Sequence, residues 1–368
     1  MSQGPVSARF IDDLETPQNR VVPWPALLVR RAEIEAQVER LAALPWPVGG
    51  RRRVLISHPD APGDAPGFTP SIRVALEVLL PGERSTPLAE LGGVVGFCIR
   101  GSGQAVVADR LLDFDLHDVW SIPSLAPHQH INDSEDVQVR LMYSHQALLD
   151  QMRVPMVGDD DLESMTFEGS PWTSSRDPLA DEVFPLADPA ATVRSYEALV
   201  DPRVSAQTPA LWKFTEVRSW LKPQDSLGAA YSGRMVAVLA HTSNERTIST
   251  TPTLTAMYGA IPPNVSHKPH LHTATSIVYH FGGGGHSVIG GRKVTWETGD
   301  LMLGAPGLAV HFHACGPVPD WAMVVQDNAL HLAMDTEIWQ EDLRQPPILI
   351  GSHAGYRTNR ASLEAELA

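Results

Sequence analysis

The segment Ser266-His-Lys-Pro-His-Leu-His272 is the strongest indication of the fold of this chain, and a later histidine pair, His311-Phe-His313, completes the pattern. His270 and His272 are two residues apart, and alternate side chains of a β-strand project to the same face. Both imidazoles can therefore point at one spot. On a helix, side chains that share a face are spaced three or four residues apart instead. The sequence thus predicts a site of several imidazoles built on β-strands.

Turns frame the second histidine pair. Thr298-Gly-Asp300 predicts one turn and Pro306-Gly307 another just before His311, with an apolar strand between the two turns. Phe281-Gly-Gly-Gly-Gly-His286 lies between the two histidine pairs, and only a sharp turn or a bulge uses glycine so heavily. A neighbouring antiparallel strand can therefore supply the third imidazole.

This pattern of His-x-His, a glycine-rich turn, Gly-Asp and Pro-x4-His resembles the two-part metal motif of the cupin superfamily. Residues 268–273, 288–291 and 296–300 resemble most closely the bicupin dioxygenases that cleave the rings of gentisate, salicylate and 1-hydroxy-2-naphthoate. The resemblance implies an all-β dominated fold. Its parts are two antiparallel jelly-roll β-barrels, a helical amino-terminal arm and an interdomain segment.

His270, His272 and His311 are the metal ligands that the resemblance implies. Many cupins also use a glutamate ligand four or five residues after the second histidine, but Ser276 and Ile277 stand at those positions here. The predicted site therefore has three imidazoles and no carboxylate, as in the ring-cleaving family.

Either of two histidines can be the third metal ligand. His311 follows Pro306 by five residues, as the second cupin motif requires. The spacing from Gly299 to Pro306 is one residue longer than usual, so a bulge can exchange His311 with His313. On a regular strand His313 faces the same side, and it is either the true third ligand or a catalytic residue beside the ligands.

The motif occurs a second time, earlier in the chain. Gly101-x-Gly103 and His128-x-His130 precede their counterparts Gly283-x-Gly285 and His311-x-His313 by nearly equal offsets. The sequence therefore predicts two copies of one module.

The first copy lacks the metal motif. Leu88 and Glu90 stand where the second copy has His270 and His272. A leucine cannot bind a metal, and Glu90 with His128 alone does not make a tight site. We therefore predict that the amino-terminal barrel is degenerate and metal-free, although the family commonly carries its iron there.

The two copies set the predicted domain boundaries. An amphipathic helix is expected at residues 25–44 within the arm. The expected parts are the arm at 1–50, the first barrel at 51–145, the interdomain connection at 146–233, the metal-binding second barrel at 234–335 and the tail at 336–368.

Composition excludes several classes of partner and location. The formal charge of −15 argues against nucleic acid or an anionic membrane as a partner. Cys98 and Cys315 lie in apolar stretches, so we expect buried thiols rather than a disulfide. No apolar run approaches the length of a membrane span, and the amino terminus has no signal-peptide core, which predicts a cytoplasmic protein.

Three neutral imidazoles leave a divalent ion with its full charge and with open positions, and this favours an anionic chelating substrate. The resemblance implies an Fe(II)-dependent dioxygenase that cleaves the ring of a hydroxy- or amino-substituted aromatic carboxylic acid with O2. It also implies a homo-oligomer, either a tetramer or a dimer. Beside His313, the candidate catalytic residues are Arg292 and Tyr279, with Arg246 as a second candidate for the substrate carboxylate.

Two other functions compete with ring cleavage. One is a bicupin metalloenzyme of different chemistry, such as a decarboxylase, an isomerase or an oxygenase that leaves the ring closed. The missing glutamate ligand argues against the oxalate decarboxylase type. The other is a non-catalytic bicupin that binds a small molecule, and the intact imidazoles argue against it.

Overall fold

Antiparallel β-strands dominate the described chain, and this confirms the predicted fold class. The structure is a computed structural model and describes residues 22–154, 182–196, 207–221, 235–341, 343–344 and 348–350. The arm begins with a short strand, β1 (Leu28–Val29), and a helix, α1 (Arg31–Ala43).

The first module follows the arm. It comprises eight strands, β2 (Arg52–Ile56), β3 (Arg73–Leu79), β4 (Val94–Arg100), β5 (Gly103–Val107), β6 (Arg110–Phe114), β7 (Val119–Ile122), β8 (His128–Ile131) and β9 (Gln138–Ser144). The described parts of the connection are α2 (Gln146–Gln151), β10 (Phe184–Pro185), β11 (Thr192–Val193), β12 (Ala210–Trp212) and α3 (Phe214–Leu221).

The second module repeats the first. It comprises β13 (Met235–Val238), β14 (Thr255–Ile261), β15 (Leu271–His272), β16 (Ser276–Gly282), β17 (Gly284–Ile289), β18 (Arg292–Glu297), β19 (Leu301–Ala305), β20 (His311–Cys315) and β21 (Asp320–Gln326). The tail adds α4 (Asn328–Ala333), β22 (Glu337–Gln340) and β23 (Ile348–Ile350).

Each module is a six-stranded sheet opposite a three-stranded sheet. The first has the orders β12-β7-β4-β9-β3-β2 and β6-β5-β8, and the second has β1-β19-β16-β21-β14-β13 and β18-β17-β20. Another small sheet, β15-β22-β23, joins the tail to the second module. Over the described residues the strands thus form facing sheets rather than one closed, continuously hydrogen-bonded barrel.

The arm helix is shorter than the helix predicted at residues 25–44. It begins at Arg31, because residues 28–29 pair as a strand with residues 301–302 of the second module. The Asp300 carboxylate accepts a hydrogen bond from the Arg31 amide at 2.8 Å and satisfies a donor that the helix start leaves open.

The two large sheets pack against each other through their outer faces. One continuous apolar cluster includes Val74 and Leu141 of the first module, Ile277 and Val325 of the second, and Val38 of α1. Alternate residues of the same strands point the other way, into each module. Each large sheet is therefore covered on both faces.

The interiors of the two modules differ. Apolar side chains from both sheets form a large cluster inside the first module, among them Trp120, Phe114 and Met142. The apolar cluster inside the second module is confined to Ile289, Trp296, Met302 and their partly buried neighbours. The apolar cluster is therefore smaller in the second module.

The two cysteines are buried, as the sequence predicts. Cys98 and Cys315 are free thiols in the interior. Within the described ranges, every helix is too short or too polar to cross a membrane.

Candidate metal centre

Two backbone hydrogen bonds join the two histidine pairs of the second module. The His270 amide donates to the His311 carbonyl at 3.1 Å, and the His311 amide donates to the His270 carbonyl at 2.9 Å. His272 lies two residues further on in β15, where it pairs with Trp339 of β22. The fold therefore brings distant parts of the sequence to one place.

Three imidazoles form a buried cluster at this place. One ring nitrogen from each of His270, His272 and His311 lies within 4.8 Å of the others. Their ring centroids are between 4.2 and 5.6 Å apart, and all three residues are buried. This set of side chains has the composition and proximity that a divalent transition metal requires.

Each imidazole of the cluster is held in the same tautomer. The Nδ1 atoms of His270, His272 and His311 lie 3.2, 2.8 and 2.9 Å from the carbonyl oxygens of Lys268, Ala274 and Ala309. Because a carbonyl can only accept, each Nδ1 carries the proton and donates it. Each Nε2 therefore carries the lone pair, as a metal ligand must, and the ring is oriented by its other nitrogen.

His313 lies next to this cluster but outside it. Its ring centroid is 5.7 Å from that of His311, and its Nδ1 is 2.6 Å from the Ser287 hydroxyl instead of a carbonyl. The Ser287 hydroxyl also accepts a hydrogen bond from the Trp296 indole at 2.9 Å. The surroundings of His313 thus differ in kind from those of the three clustered rings.

A bulge takes up the extra residue before Pro306. The register between β16 and β19 shifts at Ser276, so that Gly304 is passed over in the pairing. A side chain at Gly304 would meet the His313 ring at 3.4 Å and Val278 at 3.0 Å. Because the bulge lies in β19, β20 keeps a regular register, and it is His311 that joins the cluster.

The other predicted catalytic residues lie at different places. Arg292 is exposed at the hairpin between β17 and β18, and it pairs with Ile289, which in turn pairs with His311. Arg292 is thus at the rim of the module interior. Arg246 is exposed in the loop between β13 and β14.

Tyr279 lies on the outer face of its strand. Its ring packs edge-on against Phe97 of the first module, with centroids 5.7 Å apart, and belongs to the core between the modules. Burial raises the pKa of Tyr279 to about 12. The expectation of a catalytic Tyr279 therefore needs correction, because strand alternation turns this side chain away from the module interior.

Trp339 is a site residue that sequence reasoning missed. Its indole stacks on the His272 ring with centroids 5.0 Å apart and lies 6.0 Å from the His270 ring. The indole is half-buried and forms one wall of the cluster. No motif marks it, because it reaches the site only through the pairing of β22 with β15.

The tail also carries a buried acid that the sequence analysis missed. Glu337 is buried, and both carboxylate oxygens lack a hydrogen-bond partner among the described residues. Burial, and then the nearby charge of Asp327, raise the pKa of Glu337 to about 8. The carboxyl group is therefore largely protonated at neutral pH.

Known proteins give an independent comparison. No family model matches the chain. The chain is 24% identical over 329 residues to a 5-aminosalicylate 1,2-dioxygenase from a Comamonas species, which covers 87% of this chain and 82% of the relative. A crystal structure of salicylate 1,2-dioxygenase from Pseudaminobacter salicylatoxidans superposes with a TM-score of 0.70 at 15% identity, over 89% of this chain and 91% of that one.

The chain has the fold of salicylate 1,2-dioxygenase. The same enzyme with gentisate gives a TM-score of 0.68 at 15% identity, over 88% of this chain and 86% of that one. The resemblance to the bicupin ring-cleaving dioxygenases, predicted from the motifs, is confirmed by these matches. Each module described above is a cupin of this bicupin fold.

The first cupin has the same backbone at the position that corresponds to the cluster. Leu88 and His128 exchange backbone hydrogen bonds at 3.0 and 2.8 Å, as His270 and His311 do in the second cupin. A leucine side chain thus occupies the place of the first ligand. Over the described residues, the metal-ligand type of cluster occurs in the second cupin and not in the first.

Charged side chains held by hydrogen bonds and ion pairs lie inside the first cupin. The Arg51 guanidinium donates to the carbonyls of Thr86 and His128, and Glu77 lies 2.7 Å from Arg140. Burial alone would raise the pKa of Glu77, but its arginine neighbours lower it to about 2. Burial, with Arg51 nearby, lowers the pKa of His128 to about 4.

Proposed function

We propose that this chain is a ring-cleaving dioxygenase of hydroxy- or amino-substituted aromatic carboxylic acids, with Fe(II) held by His270, His272 and His311. The observation that carries the proposal is the buried cluster of three imidazoles, each with Nδ1 on a backbone carbonyl. The similarity to a 5-aminosalicylate 1,2-dioxygenase supports the substrate class.

The donor set suits Fe(II) and its substrate. Three neutral imidazoles on one side of an ion leave open positions and an uncompensated double charge, which favour an anionic, chelating ligand. A hydroxy or amino group beside a carboxylate provides such a chelate. When bound, the ferrous ion supplies a centre at which the aromatic substrate and dioxygen meet and exchange electrons.

The protein provides orientation and exclusion of water. The three backbone carbonyls fix the ligand rings before any ion binds, so little reorganisation is needed. Trp339 and the buried Ile289 line the cluster with apolar surface. Such surroundings strengthen every charge interaction made within the site.

Two further side chains are proposed to act on the substrate. His313 lies beside the cluster without joining it, and we assign it to contact the substrate rather than the metal. Arg292 stands at the rim, and its flexible, exposed side chain is our candidate for the substrate carboxylate. A cytoplasmic location and a homo-oligomer of two or four chains stay predictions from the sequence.

Metal content and oxygen uptake test the proposal together. The protein is loaded with Fe(II) without air, and oxygen uptake is recorded with gentisate, salicylate, 5-aminosalicylate, hydroxyanthranilate and 1-hydroxy-2-naphthoate. We expect about one iron per chain, uptake with at least one acid and a ring-opened product.

A matched pair of variants locates the metal. His272→Ala should lose both iron and uptake, whereas His128→Ala, at the corresponding strand of the first cupin, should keep both. Iron that persists in His272→Ala and disappears in His128→Ala would show that the metal site lies in the first cupin and that the proposed assignment is wrong. Full iron occupancy without uptake for any acid would reject ring cleavage of this substrate class.

A further inference from the structure

A chain of three polar side chains crosses the interior of the second cupin. The Trp296 indole donates to the Ser287 hydroxyl at 2.9 Å, and that hydroxyl lies 2.6 Å from His313 Nδ1. Trp296 is held in place by His280, whose ring stacks on it with centroids 3.8 Å apart and planes inclined by 6°. This series of hydrogen bonds ends at His313, beside the cluster of three imidazoles.

The direction of these hydrogen bonds follows from simple counting. Ser287 is fully buried, and its hydroxyl has one proton to donate. The indole of Trp296 can only donate, so the ring of His313 is the acceptor to which the Ser287 proton can go. His313 Nδ1 then accepts, and its proton lies on Nε2.

His313 therefore differs from the three clustered histidines in its tautomer. Those rings donate from Nδ1 to carbonyls and present an Nε2 lone pair. His313 presents an Nε2–H group instead, on the same inward face of β20 as His311. A protonated ring nitrogen is a poor metal ligand but a good hydrogen-bond donor to an anion.

The first cupin offers a comparison within the same molecule. Ala105 pairs with His130 there as Ser287 pairs with His313 in the second cupin, and Phe114 stands where the second cupin has Trp296. Both ring nitrogens of His130 lack a hydrogen-bond partner in the described part of the chain. The cupin that lacks the three-imidazole cluster thus also lacks the polar chain.

We propose that Ser287, oriented by Trp296, is a positioning residue that fixes His313 as an Nε2–H donor to the anionic group of the substrate and prevents it from serving as a ligand. This role rests on the proposed function for the identity of the substrate, but the tautomer itself does not. The two can therefore be tested separately.

Nitrogen-15 NMR of histidine-labelled, metal-free protein reads the tautomer directly. His313→Asn identifies the resonances of this ring. We expect a single Nε2–H tautomer in the wild type and a mixture of both tautomers in Ser287→Ala, because the hydroxyl that opposes Nδ1–H is gone. Trp296→Phe should shift the balance in the same direction, because it removes the indole donor that orients the Ser287 hydroxyl toward His313.

Ser287→Ala and Trp296→Phe introduce the residue types that the first cupin has at the corresponding positions, so we expect both variants to fold. Ser249→Ala removes another buried hydroxyl, in the loop between β13 and β14, and should change nothing. An Nδ1–H tautomer in the wild type, or one unchanged tautomer in both Ser287→Ala and Trp296→Phe, would overturn the proposal.

Salicylate binding tests the consequence for the substrate. Calorimetric titration of the zinc-loaded protein should show affinity weakened roughly tenfold in Ser287→Ala, with the zinc content unchanged. Equal affinity in the two proteins would overturn the assigned role. If the wild type binds zinc but not salicylate, the proposed substrate class fails, while the NMR result still decides the tautomer.

Discussion

His270 and His311 are joined by a reciprocal pair of backbone hydrogen bonds, 3.1 and 2.9 Å long, although forty residues lie between them in the sequence. The corresponding pair in the first cupin, Leu88 and His128, has the same two bonds. The backbone pairing is thus the same in both cupins. The side chains differ, and over the described residues only the second cupin has the cluster of three imidazoles.

The neighbouring histidines His311 and His313 should respond differently to substitution. His311→Ala should abolish iron binding, because it removes one of the three clustered Nε2 ligands. His313→Ala should keep the iron and lower kcat/KM by roughly 10 to 100-fold, as expected for a group that supports the site without binding the metal. Metal analysis and steady-state kinetics on both variants check this, and iron loss in His313→Ala alone would exchange the two assignments.

Trp339 should report on metal binding through its fluorescence. Its indole lies 5.0 Å from the His272 ring, so a paramagnetic ion such as Cu(II) at the cluster should quench it strongly. Trp339→Phe should remove most of the metal-dependent quenching seen in the wild type. Trp220→Phe, which changes an exposed indole on α3, should leave it unchanged. Quenching of equal size in Trp339→Phe would show that the ion binds elsewhere.

The charged interior of the first cupin should matter for stability alone. Glu77→Gln leaves Arg140 buried without its 2.7 Å partner, and it should lower the free energy of unfolding by about 3 to 5 kcal/mol. Arg84→Gln breaks an exposed pair with Asp133 and should cost at most about 1 kcal/mol. Urea denaturation measures both, and iron content should be unchanged. Loss of iron in Glu77→Gln would contradict the metal-free first cupin.

Glu337 should make stability depend on pH. Burial and Asp327 raise its pKa to about 8 in the folded protein, from 4.5 for an ordinary glutamate. Folding favours the protonated form of Glu337. The stability of the folded protein therefore includes the full benefit of this protonation below pH 4.5 and loses it as the pH rises through about 8. Glu337→Gln should reduce the fall in unfolding free energy between about pH 5 and pH 9 by roughly 2 to 4 kcal/mol. Parallel pH profiles for the two proteins would contradict the raised pKa.

The features that the sequence predicts well are local. The period of two along a strand puts His270 and His272 on one side, and the repeated glycine and histidine spacings indicate two cupins. The resemblance to the ring-cleaving family follows from the same short stretches. These features can be recognised in the sequence without knowledge of which distant residues are in contact.

The features that the sequence does not predict depend on how sheets face each other. Side chains along β16 alternate between two faces of the sheet. The local sequence does not show which face is which, and in the structure Tyr279 faces the other cupin while His280 faces inward. Trp339 reaches the site only because β22 pairs with β15. The helix start at Arg31 likewise depends on the pairing of β1 with β19.

The most direct test of the account is the product that the iron-loaded protein forms from an active aromatic acid under oxygen-18 gas, analysed by mass spectrometry. The account predicts a ring-opened acid that contains both atoms of one labelled dioxygen molecule, and no such product from His272→Ala. A product with an intact ring, or one without labelled oxygen, would contradict the assignment as a ring-cleaving dioxygenase.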